Sequence, residues 1–492
     1  MSSDDLHDLE ITLHSRLPLV VIETREENRL LELFARLGEG RDLRIQTWSV
    51  TRGLTRLGAT GGPRRDLAEP EAMLRHILAV RNLPGIFLLL DFHPYLDDPL
   101  HVRLLREIAL AHGELGHTVV LVGHRLEIPP ELEHHSARFS LHLPGRKELA
   151  ALVGRIASEW AAAHGGKVRG DRESFQHLVD TLRGLPLVDA RCLAHKAIFD
   201  DGAITPDDLP RVMQAKYELL NRGGALSFEY DTARFAEVGG LANIKRWLEQ
   251  RKPAFRGAIP GLDRPRGILI MGVQGGGKSL AARAVAGSWG VPLLRLDFGT
   301  LFNKYHGETE RNLRLALQSA QAMAPCVLWI DEIEKAISGG DHDGGTSRRL
   351  LGNLLTWMAD NQSGVFIVAT ANEIEALPPE LVRKGRLDEI FFVDLPRAET
   401  RAEIFAIHLR KRGLALNGFD LRALAEASEG FSGAEIEQAV VSALYGAHAQ
   451  GRQPDQAMIR EELRRTRPLS VVMAERLDRL RGWARGRTVA AD

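Results

Sequence analysis

The stretch GILIMGVQGGGKSLAARAVA, residues 267–286, decides the fold. It opens with Ile268, Leu269, Ile270 and Met271, an apolar run that suits a strand buried on both faces of a parallel sheet. A loop follows, Gly272, Val273, Gln274, Gly275, Gly276 and Gly277, then Lys278 and Ser279, and good helix formers continue from Leu280. Strand, GxxxxGKS and helix in that order predict a phosphate-binding P-loop, or Walker A element. Glycines let main-chain N–H groups reach a polyphosphate with no Cβ in the way, and the helix start presents its positive end to the anion. On this reading residues 272–280 cradle the phosphates of ATP, Lys278 holds the β and γ phosphates, and Ser279 ligates Mg²⁺.

A second motif lies about 50 residues further on. Residues 327–330 form an apolar strand that ends in Asp331-Glu332, as a Walker B element does. Asp331 is placed to hold Mg²⁺ opposite Ser279, and Glu332 to act as the base that polarises the attacking water.

The rest of the composition sets limits. A chain of 492 residues with 44% hydrophobic content supports about three packed domains. Lys+Arg 64 against Asp+Glu 65 leaves a net charge of -1, so no bulk field recruits nucleic acid or acidic membranes. No apolar run reaches about 18 residues, and the opening MSSDDLHDLE is acidic where a signal peptide would be basic. The expected location is the cytoplasm, with no membrane partner. Cys192 and Cys326 make no disulfide framework, and the 18 histidines, including His134 and His135, show no HExxH or comparable spacing. No structural metal is expected.

Along the chain, residues 1–145 alternate apolar runs with helical periodicity, the pattern of a parallel α/β domain. Runs at 19–22, 45–50, 86–90 and 118–122 predict strands, and 28–37 and 100–112 predict helices. Helical segments then fill 146–220, a lid for that domain. Residues 221–234, with Gly223 and Gly224, read as a linker. A second α/β block spans 235–396, with strands around Ile268, Leu293, Val327, Val365 and Phe391. Residues 397–492 are helical and end in a basic, mobile tail after Trp483. The halves echo each other: IPPEL at 128–132 and LPPEL at 377–381, Leu143-Pro144 and Leu395-Pro396, FLLLD at 87–91 and VLWID at 327–331, Gly184-Leu185 and Gly430-Phe431. These offsets, all roughly 240–250 residues, predict a duplicated domain.

These motifs resemble those of the AAA+ ATPases over most of the second half. Residues 235–241, FAEVGGL, are similar to that family's opening segment, in which the backbone near Val238 and Gly239 packs on adenine. Thr370-Ala371-Asn372 resembles the sensor-1 element, which implies that Asn372 orients water or the γ phosphate. Residues 383–389, RKGRLDE, resemble the arginine-finger segment, with Arg386 as the finger and Glu389 where many members have a second arginine. His408 resembles the ribose-side histidine, and Gly433 and Ala434 the lid contact to adenine, with Ala434 where some branches place a sensor-2 arginine. Residues 304–308, KYHGE, resemble the first pore loop of threading members, which makes Tyr305 the gripping aromatic, with 338–345 as the second pore loop. More closely, APCVLWIDEIEKA and RKGRLDEIFFVDLP resemble an AAA+ group encoded in cyanobacteria and algal plastids as a hypothetical reading frame.

The expected fold is therefore α/β, with tandem AAA-like modules, each a parallel P-loop-type sheet domain followed by a helical lid. The first module is degenerate: Glu23, Thr24, Arg25, Glu26 and Glu27 stand where phosphates need glycine amides and lysine, and Phe92 follows Asp91 where Glu332 follows Asp331. The interval from Leu132 to Pro144 is also three residues shorter than that from Leu381 to Pro396, which leaves no counterpart of Arg386. The expected function is Mg²⁺-dependent ATP hydrolysis by a homo-oligomeric ring, a hexamer as the resemblance implies, that remodels or unfolds a protein client. The alternative is a regulatory ATP switch that docks partners without threading. A nucleic-acid motor is disfavoured by the neutral charge.

Overall fold

Apolar runs interleaved with amphipathic helices build a parallel sheet twice in this chain. The computed structural model describes residues 3–492 apart from 16, 40–42, 59–61, 82, 125, 206–207, 222–225, 230–236, 303–308, 337–343, 374–376 and 383–384. Tyr305, residues 338–343 of the second pore loop, the start of the FAEVGGL segment and residues 383–384 of the arginine-finger segment lie outside the described residues. Two compact units divide at 209/210.

The first unit holds β1 (Leu19–Glu23), β2 (Arg44–Ser49), β3 (Gly53–Arg56), β4 (Gly85–Leu90), β5 (Thr118–Gly123) and β6 (Ser136–Phe139). They form one sheet in the order β3-β2-β4-β5-β1-β6, parallel except for the β2–β3 hairpin. The four strands expected from apolar runs are all present. Helices pack on both faces, Leu33 and Phe34 over Val20 and Ile22 on one, Met73 and Leu105 over Val21 and Leu89 on the other. The helical part, Arg146–His164, Arg172–Thr181 and Leu187–Phe199, carries a two-stranded pair, β7 (Arg169–Gly170) and β8 (Ala203–Ile204).

The second unit contains β9 (Leu226–Glu229), β10 (Gly267–Gly272), β11 (Leu293–Leu296), β12 (Cys326–Ile330), β13 (Val365–Ala371), β14 (Glu389–Val393) and β15 (Val489–Ala490) in the order β15-β14-β10-β13-β12-β11-β9. With β3, β9 and β15 set aside, both sheets run 5-1-4-3-2 when their strands are counted in chain order, so the echoes in sequence coincide with one topology used twice.

Three expectations change here. The segment read as a linker contributes β9, an antiparallel edge strand on β11, because Leu226 is apolar enough to join the core beneath it. The helix Asp208–Leu220, expected to close the first lid, packs Tyr217 and Leu220 on the second unit's core, and Tyr217 Oη donates to the Leu226 carbonyl at 2.5 Å. The tail after Trp483 is ordered: β15 pairs in parallel with β14, the Ala491 N–H donates to the Phe392 carbonyl at 2.9 Å, and Thr400 donates to the Asp492 carboxylate at 2.8 Å. Its basic composition gave no sign of this, since a two-residue edge strand needs only main-chain partners.

Candidate functional site

The loop after β10 is built by backbone constraints. Gly272 has φ 141°, and a Cβ there would stand 2.0 Å from the Val393 carbonyl oxygen, so the chain can turn beside β14 only with glycine. The helix Lys278–Trp289 begins immediately after Gly277 and aims its free N–H groups at the loop. Lys278, 7% exposed, donates to the carbonyls of Gly272 and Val273 at 2.9 and 2.8 Å. Burial pushes its ammonium down to about 8, against the pull of Glu334, Asp331 and Glu332.

Five residues form a connected line, Ser279 at the start of the helix and four at the ends of β12 and β13. Ser279 Oγ lies 3.4 Å from Asp331 Oδ1, and Thr370 Oγ1 donates to the same oxygen at 2.6 Å. The Thr370 hydroxyl also accepts from the Glu332 N–H at 3.0 Å, and Asn372 Nδ2 donates to Glu332 Oε1 at 2.7 Å. Glu332 itself sits at φ 51°, an uncommon angle for a side chain of its size, and Lys335 pairs with its other oxygen. The Ser279 and Asp331 oxygens are compatible with neighbouring positions on octahedral Mg²⁺, where ligands at about 2.0–2.1 Å lie roughly 3 Å apart.

Around these groups is a cleft of about 450 Å³. Residues 274–280, Asp331, Glu332, Thr370 and Asn372 line its polar end, and Val238, Gly239, Ile404, His408, Gly433 and Ala434 its other end. That volume falls within the usual range for small-molecule sites. The Ala434 N–H donates to the Gly275 carbonyl at 3.2 Å, which joins the lid helix Gly433–Ala449 to the loop. Burial pushes His408 below the usual histidine range against the pull of the Glu437 carboxylate, 3.4 Å away, so a neutral imidazole faces the cleft at pH 7. Of the expected site residues, Gly272 and Val273 support the loop without lining the cleft, and Arg386 lies outside it, donating to the Glu380 carbonyl.

Sequence reading missed several participants. Arg295 Nη2 reaches Asp331 Oδ2 at 3.4 Å while its guanidinium lies over the Trp329 ring. Arg476, on the helix Ala474–Ala484, donates to the Asn372 carbonyl at 3.4 Å. Neither position belongs to a local motif.

Among the described residues the first unit has no such loop after its corresponding strand. Only Thr24, Arg25 and Glu26 separate β1 from the helix Glu27–Gly38. Glu26 is buried, its carboxylate accepting from Arg29 Nη1 at 2.9 Å and from the Leu187 N–H. Arg29 also pairs with buried Asp5 at 2.8 Å. A carboxylate thus makes the contact to the lid that Gly275 makes in the second unit. One detail differs from the expected correspondence. Phe139 lies level with Ile22, and Phe391 with Ile270, each five residues before the matching Pro144 or Pro396. Val122 then matches Thr370, and because Leu90 is level with Val122 while Ile330 is level with Ala369, the residue before Thr370, Leu90 matches Asp331 and Asp91 matches Glu332. The backbone agrees, with φ 52° at Asp91 and 51° at Glu332. The first unit therefore lacks the counterpart of Asp331, where the aligned sequences pointed to loss of Glu332, since a one-residue slip between strands leaves no mark in a short apolar run.

Residues 268–395 match the ATPase family associated with various cellular activities (AAA), and 418–461 the AAA+ lid domain. Residues 5–141 match the SpoVK-like AAA ATPase N-terminal domain, and 147–223 the second domain of the same group. The AAA domain-containing protein ycf46 of Pyropia yezoensis is 33% identical over 484 residues, 97% of this chain and 97% of the relative. That of Guillardia theta is 34% identical over 485 residues, 97% of this chain and 94% of the relative. The proteasome-activating nucleotidase of Aeropyrum pernix is 35% identical over 280 residues, 54% of this chain and 66% of that protein.

Proposed function

Because this chain belongs to the AAA ATPases, in the family that ycf46 represents, and hydrolyses ATP, we propose that it is an Mg²⁺-dependent ring, a homohexamer, whose second unit drives remodelling of a protein client. The supporting observation is the line Ser279, Asp331, Thr370, Glu332, Asn372 facing Lys278 across one cleft. Lys278 and the loop N–H groups bind the phosphates. Asp331 and Ser279 hold Mg²⁺, which neutralises phosphate charge when bound. Glu332, oriented by Asn372 and by the Thr370 hydroxyl at its backbone, accepts the proton of the attacking water. Val238, Gly239, Gly433 and Ala434 enclose the base, and the neutral His408 suits a ribose hydroxyl. Arg386, outside its own cleft, serves the site of the adjacent subunit.

Tyr305 tests the client reading. In a ring it would line the axis, where an aromatic grips varied side chains without demanding a sequence. Tyr305→Ala should keep ATP turnover and oligomer mass but lose ATP-dependent unfolding of a fluorescent model protein. Wild-type unfolding by the variant would favour the ATP switch that docks partners without threading them.

A further inference from the structure

The first unit brings together three groups that its sequence keeps apart. Asp91 and His93 follow β4, and His124 follows β5, yet one ligand atom from each lies within 4.8 Å of the others. The rings of His93 and His124 stand 4.7 Å apart between centroids at 88°. The positions come from the sheet: β4 and β5 are adjacent parallel strands, Leu90 is level with Val122, and the Asp91 N–H donates to the Val122 carbonyl at 2.8 Å.

Further features fix the cluster and distinguish it from a chance meeting of polar residues. Asp91 holds a positive φ of 52°, a conformation that costs energy in a non-glycine residue, and takes the backbone position that Glu332 has in the second unit. Phe92, fully buried, anchors the turn that carries His93. The Nδ1 atom of His93 is itself buried and has no hydrogen-bond partner among the described residues. A Cβ at position 123 would stand 3.3 Å from that nitrogen, so glycine there keeps the approach open. His124 occupies the place of Asn372 by the same register that matches Asp91 to Glu332.

We propose that Asp91, His93 and His124 bind a first-row divalent transition-metal ion of the zinc type, with the remaining coordination positions open to water or a partner's ligand. Two imidazoles and one carboxylate are the donor set that such ions prefer, whereas Mg²⁺ and Ca²⁺ require more oxygens than this cluster offers. Donors at about 2.0–2.1 Å from a tetrahedral ion are separated by roughly 3.3 Å, so side-chain rotations closing the present spacing by at most about 1.5 Å complete the site. The ion would join the ends of two adjacent strands in the unit that has lost the phosphate loop, independently of ATP chemistry in the other.

The test uses the untagged full-length chain, stripped with a chelator and titrated with Co²⁺ in excess Mg²⁺ without nucleotide. One equivalent should produce visible d–d absorption, and one equivalent of Zn²⁺ should displace it. Asp91→Asn, His93→Ala and His124→Gln should each weaken uptake by about tenfold or more while ATP turnover stays at the wild-type value. His134→Ala serves as a control and should bind normally. Because Asp91→Asn and His124→Gln change exposed groups of nearly constant shape, folding does not confound them. Absence of saturable uptake by the wild type, or an undiminished signal in the Asp91→Asn/His124→Gln double variant, overturns the proposal.

Discussion

Nucleotide binding should draw a proton from solution, and Lys278 sets how much. Its ammonium is pushed from 10.5 to about 8 chiefly by burial, which amounts to about 3 kcal/mol at roughly 1.4 kcal/mol per pH unit. The folded value is the depressed one, so the free protein loses this charge as pH rises through 8, whereas an unfolded chain keeps it to about 10.5. The destabilisation is therefore complete below pH 8 and disappears by about 10.5. Phosphates placed against the ammonium restore its affinity for the proton. With a bound value of 10 or more, uptake on binding is about 0.1 proton at pH 7, about 0.5 at pH 8 and about 0.8–0.9 at pH 9. Calorimetric titration of Glu332→Gln with Mg·ATP, in pairs of buffers that differ in ionisation enthalpy, reads this number directly. Affinity should fall by up to about tenfold per pH unit above 8. Uptake that is flat from pH 7 to 9 would refute the reasoning, for it would mean that Lys278 is not the group the phosphates meet.

The remaining expectations concern the same cleft. Glu332→Gln should retain ATP binding and lose about 10²–10⁴ in turnover, measured by phosphate release against filter binding. Thr370→Val removes the hydroxyl that donates to Asp331 and accepts from Glu332, and at about 1.5–3 kcal/mol for a hydrogen bond to a charged group should lower kcat/KM by roughly tenfold to a hundredfold without unfolding the chain. Arg386→Ala, and dilution of the wild type to monomer, should each cost about 10³–10⁵ in rate and spare ATP binding; constant specific activity across the assembly transition would remove the need for a neighbouring subunit. An ATP photoprobe should label one site per wild-type chain and none in Lys278→Ala, since Glu26 and Arg29 fill the first unit's loop.

What could be read from sequence was what is local. Residues 272–280 and Asp331-Glu332 are contiguous, and each run carries its own reason for glycine, lysine or carboxylate, so the cleft's polar end was legible before any fold was known. The same holds for those buried strands that are uninterrupted apolar runs, such as residues 86–90, 268–271 and 326–330. Arg295, Arg476 and the double role of the Thr370 hydroxyl were not legible, because each acts on a residue 36 to 104 positions away and depends on strand register or on a returning helix. Register also explains the mismatch at Asp91: FLLLD and VLWID align by letter, while the sheets align them one residue apart. Strands β9 and β15 escaped notice since an edge pairing asks little of side chains, and His93 and His124 formed no motif because a parallel crossover separates them.

The matching φ values at Asp91 and Glu332 bear on how strain should be interpreted. A non-glycine residue at positive φ invites the inference that energy is stored there for chemistry. Here the same bend occurs in a unit whose phosphate loop is replaced by a buried carboxylate and guanidinium, so it belongs to the way the third strand leaves this sheet. The bend persists with no phosphate loop beside it. The bend works as a fixed mount on which a chain can exchange one side chain for another, so that a proposed hydrolytic base and a proposed metal ligand are two uses of a single backbone position, one that a short aspartate adopts more readily than a glutamate.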